Sequence, residues 1–168
     1  MEMPQLDELY REVVLDHYRR PRGRTPVPHV DLANEGLNPV CGDQVRLALH
    51  MDGERIGQVY VESRGCSISV ASGSMLAEIL RGRTLAEAER YIAAFKALMH
   101  GEAPPADLDL GDLEALEGVR QFPVRIKCAL LPWTTLEDAL RAWRAGERPS
   151  APSTTETDDR QHGPTAVC

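Results

Sequence analysis

Residues 44–51 alternate without a break. Val45, Leu47, Leu49 and Met51 fall on one face, and Gln44, Arg46, Ala48 and His50 on the other. A hydrophobic period of two belongs to a strand with one buried and one wet face. Asp52-Gly53 follows, a hairpin signal because glycine accepts the positive φ of a tight turn. Residues 58–62, Gln-Val-Tyr-Val-Glu, read as the returning strand. At Gly65-Cys66 the pattern changes. Residues 67–81 open with Ser69, Ser72 and Ser74 and turn apolar at Leu76, Ile79 and Leu80, a helix whose first half is small residues. A half-buried hairpin that runs straight into a helix needs a second layer over its apolar face, which is an α+β arrangement.

The flanking segments supply that layer. Leu6, Leu9, Tyr10, Val13, Val14 and His17 recur at helical spacing, and Pro21 stops the helix near Arg20. Residues 21–39 hold Pro21, Pro26, Pro28 and Pro39 and read as a surface loop. Thr84 with Glu87 three residues on is a capping box. The helix it opens carries Leu85, Ala88, Ile92, Phe95 and Leu98 inward until Gly101 and Pro104-Pro105 end it. Residues 107–119 read as a short acidic helix. Trp133, Leu136, Leu140 and Trp143 set the last helix, with both tryptophans in the core. Pro132 belongs within that helix's first turn, where its missing N–H has no helical partner. This predicts Cys128 at or just before the helix N-terminus, beside the positive end of its dipole. The expectation is a small antiparallel sheet packed against about five helices in two layers, spanning residues 1–145. Residues 146–168 contain no Leu, Ile, Met, Phe, Tyr or Trp and read as a disordered tail.

Charge and length narrow the function. With 19 Lys+Arg against 26 Asp+Glu the net charge is −7 over 168 residues, which argues against a nucleic-acid partner. No apolar run approaches the ~18–20 residues of a membrane span, and the polar start MEMPQLDELYRE is not a signal peptide. Four cysteines are too few for a disulfide scaffold and fit a reducing compartment. A cytoplasmic protein is expected.

Three of those cysteines stand where elements meet. Cys41 lies in Asn38-Pro39-Val40-Cys41-Gly42-Asp43, ahead of the first strand of the hairpin. Cys66 follows Gly65 at the strand-to-helix junction, and Cys128 sits at the expected helix entrance. Free cysteine is usually a small buried hydrophobe. Three at junctions, beside Gly or Pro, point instead to presented thiols. Glycine next to a thiol allows close backbone approach to whatever the sulfur binds. If they converge with Asp43, three thiolates and one carboxylate suit tetrahedral zinc, and thiolates also suit an iron–sulfur cluster.

The same segments carry a resemblance. Residues 38–43, then Gly65-Cys66-Ser67-Ile68-Ser69-Val70-Ala71-Ser72, then Arg125-Ile126-Lys127-Cys128-Ala129, resemble the IscU/SufU (NifU N-terminal-like) family of iron–sulfur cluster assembly proteins. Leu15-Asp16-His17-Tyr18-Arg19-Arg20-Pro21-Arg22 looks like that family's N-terminal segment, and the similarity runs in order over residues 5–145. Lys127 before Cys128, where IscU scaffolds carry histidine, and the acidic stretch 101–122 favour the SufU branch. Pro132 departs from the family's usual residue. The resemblance implies zinc bound by Cys41, Asp43, Cys66 and Cys128, and Arg125 flanking the site. It implies Cys41 as the acceptor of persulfide sulfur from a cysteine desulfurase, a sulfurtransferase-type role that passes sulfur to downstream scaffold or acceptor proteins. Two other readings stay open: a scaffold building a [2Fe–2S] cluster on the same ligands, with iron as its metal, and a structural zinc module serving only interaction. Cys41, on its Pro/Gly turn, is expected to leave the metal while Cys66 and Cys128 hold it.

The remaining polar residues read more plainly. Arg19, Arg20, Arg22 and Arg24 are taken as a solvated loop ahead of a docking patch. His17, His29, His50, His100 and His162 are scattered and read as surface or core, and Cys168 as incidental.

Overall fold

The computed structural model describes residues 8–146. Leu6, His162, Cys168 and the tail expected after residue 146 lie outside the described residues. The elements run α1 (Glu8–Arg19), β1 (Leu32–Asn38), β2 (Asp43–Asp52), β3 (Arg55–Arg64), α2 (Ser67–Leu80), α3 (Leu85–Met99), a 3-10 helix (Gly111–Gln121) and α4 (Pro123–Arg144). The three strands form an antiparallel sheet in the order β1-β2-β3. With five helices this is the expected α+β fold. Among the described residues no helix is long and apolar enough to cross a membrane.

The hairpin forms as its alternation dictates. Val45, Leu47 and Leu49 of β2 face inward beside Val59 and Val61 of β3. The strands pair out to Asp52↔Arg55, so the two loop residues are Gly53 and Glu54, with Gly53 at φ 66. The register shifts at His50/Met51, where Gly57 is the extra residue on β3.

β1 corrects the reading of residues 21–39 as loop throughout. Its sequence is LANEGLN, and only Leu32, Gly36 and Asn38 turn fully inward. Too few of its residues are apolar for a period of two to show. Gly36 is there because α4 presses on β1: a methyl at 36 would overlap Thr135 Oγ1. The proline-rich stretch before it is a loop, and its Gly23 carbonyl accepts the Val61 N–H of β3 at 2.8 Å. That contact engages a main-chain donor of the sheet's β3 edge.

The helices close over the inner face. α4 lies against β1 and β2, and α2 against β3, α1 and α4. α2 is buried almost all round. Its serines and glycine let it sit close: a methyl on Gly73 would come within 2.7 Å of Ser63 Oγ and 2.9 Å of Val61 Cγ1. α3 starts with the expected capping box, Thr84 Oγ1 accepting the Glu87 N–H at 3.1 Å and Glu87 Oε1 accepting the Thr84 N–H at 2.9 Å. The acidic segment after it is helical but tightened to 3-10 geometry. Trp133 is fully buried beside Phe95, whereas Trp143 is only partly buried.

The start of α4 differs from expectation. The helix begins at Pro123, a proline in the first turn where no N–H is missed. Pro132 lies inside it, nine residues on, and its ring is buried. An interior proline removes the bond to the carbonyl four residues back and costs ~3 kcal/mol or more. Hydroxyls from α2 and from α4 itself bond carbonyls beside the break. Ser72 Oγ donates to the Ala129 carbonyl at 2.6 Å and accepts the Trp133 indole N–H at 3.0 Å. Thr135 Oγ1 donates to the Leu131 carbonyl at 2.7 Å.

Candidate metal centre

Three chain junctions bring the site together at one end of the sheet. The β1–β2 connection carries Cys41. The Gly42 N–H donates to the Asn38 carbonyl at 2.7 Å and the Val40 N–H to Asn38 Oδ1 at 3.0 Å, so the turn is closed from inside. Asp43 opens β2 and is buried. Cys66 is the N-cap of α2, in extended backbone. Cys128 stands in the second turn of α4, its Sγ 3.6 Å from the Val124 carbonyl. Cys128 is therefore not at the helix entrance expected for it, because α4 starts five residues before it. That position belongs to Cys66, at the positive end of α2.

Three of the four donors gather within reach of one ion, and Cys66 joins them through Asp43 and Cys128 without lying within 4.8 Å of all three. Cys41 Sγ and Cys128 Sγ are 3.4 Å apart. Asp43 Oδ1 accepts the Cys66 N–H at 3.0 Å and Oδ2 the Cys66 S–H at 3.3 Å. Donor atoms of Cys41, Asp43 and Cys128 all lie within 4.8 Å of one another. Gly65, at φ 137, makes room for this: a methyl there would overlap Asp43 Oδ1. Cys41 is exposed while Cys66 and Cys128 are buried, so one thiol faces outward and two line the floor.

The electrostatics follow from crowding three thiols and a carboxylate. A hydrogen bond from Cys128 lowers the Cys66 pKa to about 7, against the opposing effect of burial. Cys128 is pushed up, first because its proton is shared with Cys66 and then by burial. Arg125, one turn before Cys128 and half-buried, loses some of its charge preference to burial. The neighbouring Cys66 and Cys128 outweigh that loss and hold its guanidinium more firmly protonated than usual.

A divalent metal fits this donor set. Tetrahedral zinc with Zn–S near ~2.3 Å and Zn–O near ~2.0–2.2 Å places its ligand atoms about 3.5–3.8 Å apart. The separations of 3.3 and 3.4 Å are already close to that. Three thiolates and a carboxylate leave the centre net negative, and Arg125 is placed to offset part of the excess.

The other singled-out residues lie elsewhere. His17 is fully buried, its Nδ1 2.6 Å from Ser74 Oγ and its Nε2 2.8 Å from Asp112 Oδ2, tying α1 to α2 and the 3-10 helix. Arg20 pairs with Asp16, and Arg22 with Asp16 at 2.9 Å and Glu78 at 3.4 Å, so part of the arginine segment is held by carboxylates. His29 and His50 flank Asp31, each at 3.3 Å. His100 is exposed, its Nδ1 2.6 Å from the Lys96 carbonyl. Asn38 is a site-forming residue that sequence reasoning passed over. The signal was its place at the head of the Cys41 turn, where Asn commonly bonds the backbone two residues on.

A three-stranded antiparallel sheet with five helices, and cysteines and an aspartate gathered at its end, define a class of small α+β domains with a candidate thiolate metal centre. The chain belongs to the NifU-like N-terminal domain family, whose model matches residues 9–129. It is 40% identical over 141 residues to the zinc-dependent sulfurtransferase SufU of Bacillus subtilis (strain 168), covering 84% of this chain and 95% of that one. It is 36% identical over 141 residues to the iron–sulfur cluster assembly scaffold protein IscU of Streptococcus pyogenes serotype M1, covering 84% and 88%. A crystal structure from Fervidobacterium islandicum AW-1, described as an iron–sulfur cluster assembly scaffold protein for the SUF system, superposes with a TM-score of 0.72. It has 34% identity, over 77% of this chain and 94% of that chain.

Proposed function

We propose that this protein serves iron–sulfur cluster assembly by accepting persulfide sulfur on Cys41 from a cysteine desulfurase and passing it to a downstream scaffold or acceptor. Zinc is its resting metal, held by Cys41, Asp43, Cys66 and Cys128, and the cytoplasm its setting. The observation that carries this reading is the asymmetry of the four donors: Cys41 is exposed on a turn, while Asp43, Cys66 and Cys128 are buried on three separate elements. A purely structural centre has no need to present one thiol outward. The likeness to a named zinc-dependent sulfurtransferase supports the same reading.

Bound there, zinc keeps the thiols deprotonated while lowering their nucleophilicity. Cys41 is the ligand reached by a donor, because it is the exposed thiol, whereas Asp43, Cys66 and Cys128 are buried and Asp43 and Cys66 are bonded to each other. The Cys41 thiolate attacks the outer sulfur of the donor persulfide. A Cys41 S–S bond forms, the donor S–S bond breaks, and the donor cysteine leaves as thiolate. Arg125, beside the buried thiols, offsets negative charge as the persulfide arrives. The experiment is desulfurase turnover with and without the protein, together with sulfur loading of Cys41→Ala. Stimulated turnover and no loading of the variant are expected, and loading without Cys41 would overturn the assignment.

The scaffold reading draws on the Streptococcus relative, named as such, and on thiolates that suit iron as well as zinc. Metal analysis separates the two: a colourless protein with zinc supports sulfur transfer, and a brown protein with iron and sulfide supports the scaffold. A structural zinc module would leave desulfurase turnover unchanged.

A further inference from the structure

Cys41 and Cys128 come from the β1–β2 connection and from α4, and their Sγ atoms are 3.4 Å apart. That is a contact distance between two free thiols with no disulfide between them. Closing it to the ~2.05 Å of an S–S bond takes a shift of about 1.4 Å. The two sulfurs differ in access: Cys41 is exposed, while Cys128 is fully buried on its helix. Cys66 joins the site through Asp43 and Cys128. Sulfur carried on Cys41 is therefore held beside a second thiol that reagents in solution do not reach directly.

A persulfide offers two sulfurs to an attacking thiolate, and which one is struck decides the product. Attack at the outer sulfur passes it on as sulfane sulfur. Attack at the inner sulfur, here Cys41 Sγ, expels the outer one as hydrosulfide. The contact that Cys128 makes is with the inner sulfur. We propose that Cys41 and Cys128 are a resolving pair: when no metal engages Cys128, its sulfur attacks Cys41 Sγ of the persulfide, forms a Cys41–Cys128 disulfide and expels hydrosulfide. The bond that breaks is the one between Cys41 Sγ and the added sulfur. The added sulfur gains the two electrons that the two cysteines lose, so no outside reductant enters the step. The Cys128 proton passes to Cys66, to which it is hydrogen-bonded, and the hydrosulfide leaves with the persulfide's own proton. Cys128 engaged as a metal ligand is withheld from this attack, so the loaded sulfur then stays transferable. The inference rests on the reading of Cys41 as the sulfur acceptor and gives that sulfur a second fate, as sulfide.

The test uses the full-length protein supplied with zinc and loaded anaerobically with glutathione persulfide, without any desulfurase, then freed of excess reagent. One portion is treated with a chelator. Released sulfide, the helical circular dichroism signal and the cysteine peptides by mass spectrometry are followed in both. Chelation is expected to release sulfide in step with a Cys41–Cys128 disulfide, from a chain that keeps its helical signal. Cys128→Ser is expected to keep its added sulfur on Cys41 and to release sulfide about a hundredfold more slowly, having lost the intramolecular nucleophile. The wild-type peptide map decides the pairing whether or not that variant folds. After chelation, a persulfide that persists on Cys41 or moves to Cys128, a disulfide to Cys66 instead, or loss of the helical signal overturns the resolving pair and leaves sulfur acceptance by Cys41 standing. Release at the same rate without chelator overturns the protection by ligation. A chain that takes no sulfur on Cys41 overturns both the pair and the reading beneath it.

Discussion

Gly65 and Asp43 share one space at the head of the site: a methyl on residue 65 would overlap Asp43 Oδ1, the oxygen that accepts the Cys66 N–H at 3.0 Å. Gly65 also sits at φ 137, which L side chains rarely adopt. Gly65→Ala is therefore expected to push the carboxylate out of place and weaken zinc retention roughly 10–100-fold. Chelator competition measures this. Retention equal to the parent's would show that Asp43 does not depend on the glycine.

Cys41 and Cys128 are expected to separate function from stability. Cys41 is exposed, so Cys41→Ala should shift the metal-free protein's stability by only about 0.5 kcal/mol while abolishing sulfur loading. Cys128 is fully buried among Asp43, Cys41 and Cys66. Cys128→Ala should lose the metal as well as the transfer, read by metal content after purification.

Metal removal should be felt as a loss of stability. A site that gathers Asp43, Cys66 and Cys128 in the interior concentrates negative charge when its thiols ionise, and a bound cation stabilises the folded form by mass action. Chelation is expected to lower the melting temperature, with recovery on adding zinc back. A melting curve indifferent to chelator would remove zinc from the resting state.

Ser72 supports α4 where Pro132 interrupts it. Its hydroxyl donates to the Ala129 carbonyl and accepts the Trp133 indole N–H. Ser72→Ala leaves the buried Trp133 indole N–H without this partner, at about 1–3 kcal/mol. That loss, read as a melting temperature lower by roughly 3–10 °C, is expected for a chain of this size.

Glu87 ties α3 to acid stability. The Thr84 backbone N–H is the main cause of its pKa lying below the usual glutamate value, with Arg83 and Arg55 adding to it. A depressed folded pKa means the contribution is fully present above the unfolded pKa of ~4.3 and is lost as pH falls through the lower folded value. Carboxyl NMR titration of Glu87 should show the low midpoint. Glu87→Gln should remove that part of the acid dependence, and a midpoint at the ordinary value would contradict the capping box as its source.

Much of the sheet and site was legible locally. The 44–51 alternation and the Thr84/Glu87 cap each depend on residues close in sequence, and both elements formed where their patterns placed them. Gly65 before Cys66 likewise signalled close approach of another group, and that group is Asp43. β1 was not legible, because its inward residues include Gly36 and Asn38, chosen by contact with Thr135 and by the Cys41 turn rather than by hydrophobic period.

The sequence by itself determined the hairpin, the helix caps and the candidate ligands, because strand alternation, capping and turn chemistry act over a few neighbouring residues. Only the tertiary structure decided that Cys128 stands in the second turn of α4 and that Cys66 holds the helix N-terminus. Local rules put Pro132 at a helix start. In the folded chain its ring is buried, and the Ser72 hydroxyl, 57 residues away, bonds the Ala129 carbonyl beside it, so the proline sits within the helix. The meeting of Cys41 with Cys128 and of Asp43 with Cys66 is of the same kind, since their spacing along the chain carries no trace of the 3.4 and 3.3 Å that separate the donor atoms of each pair.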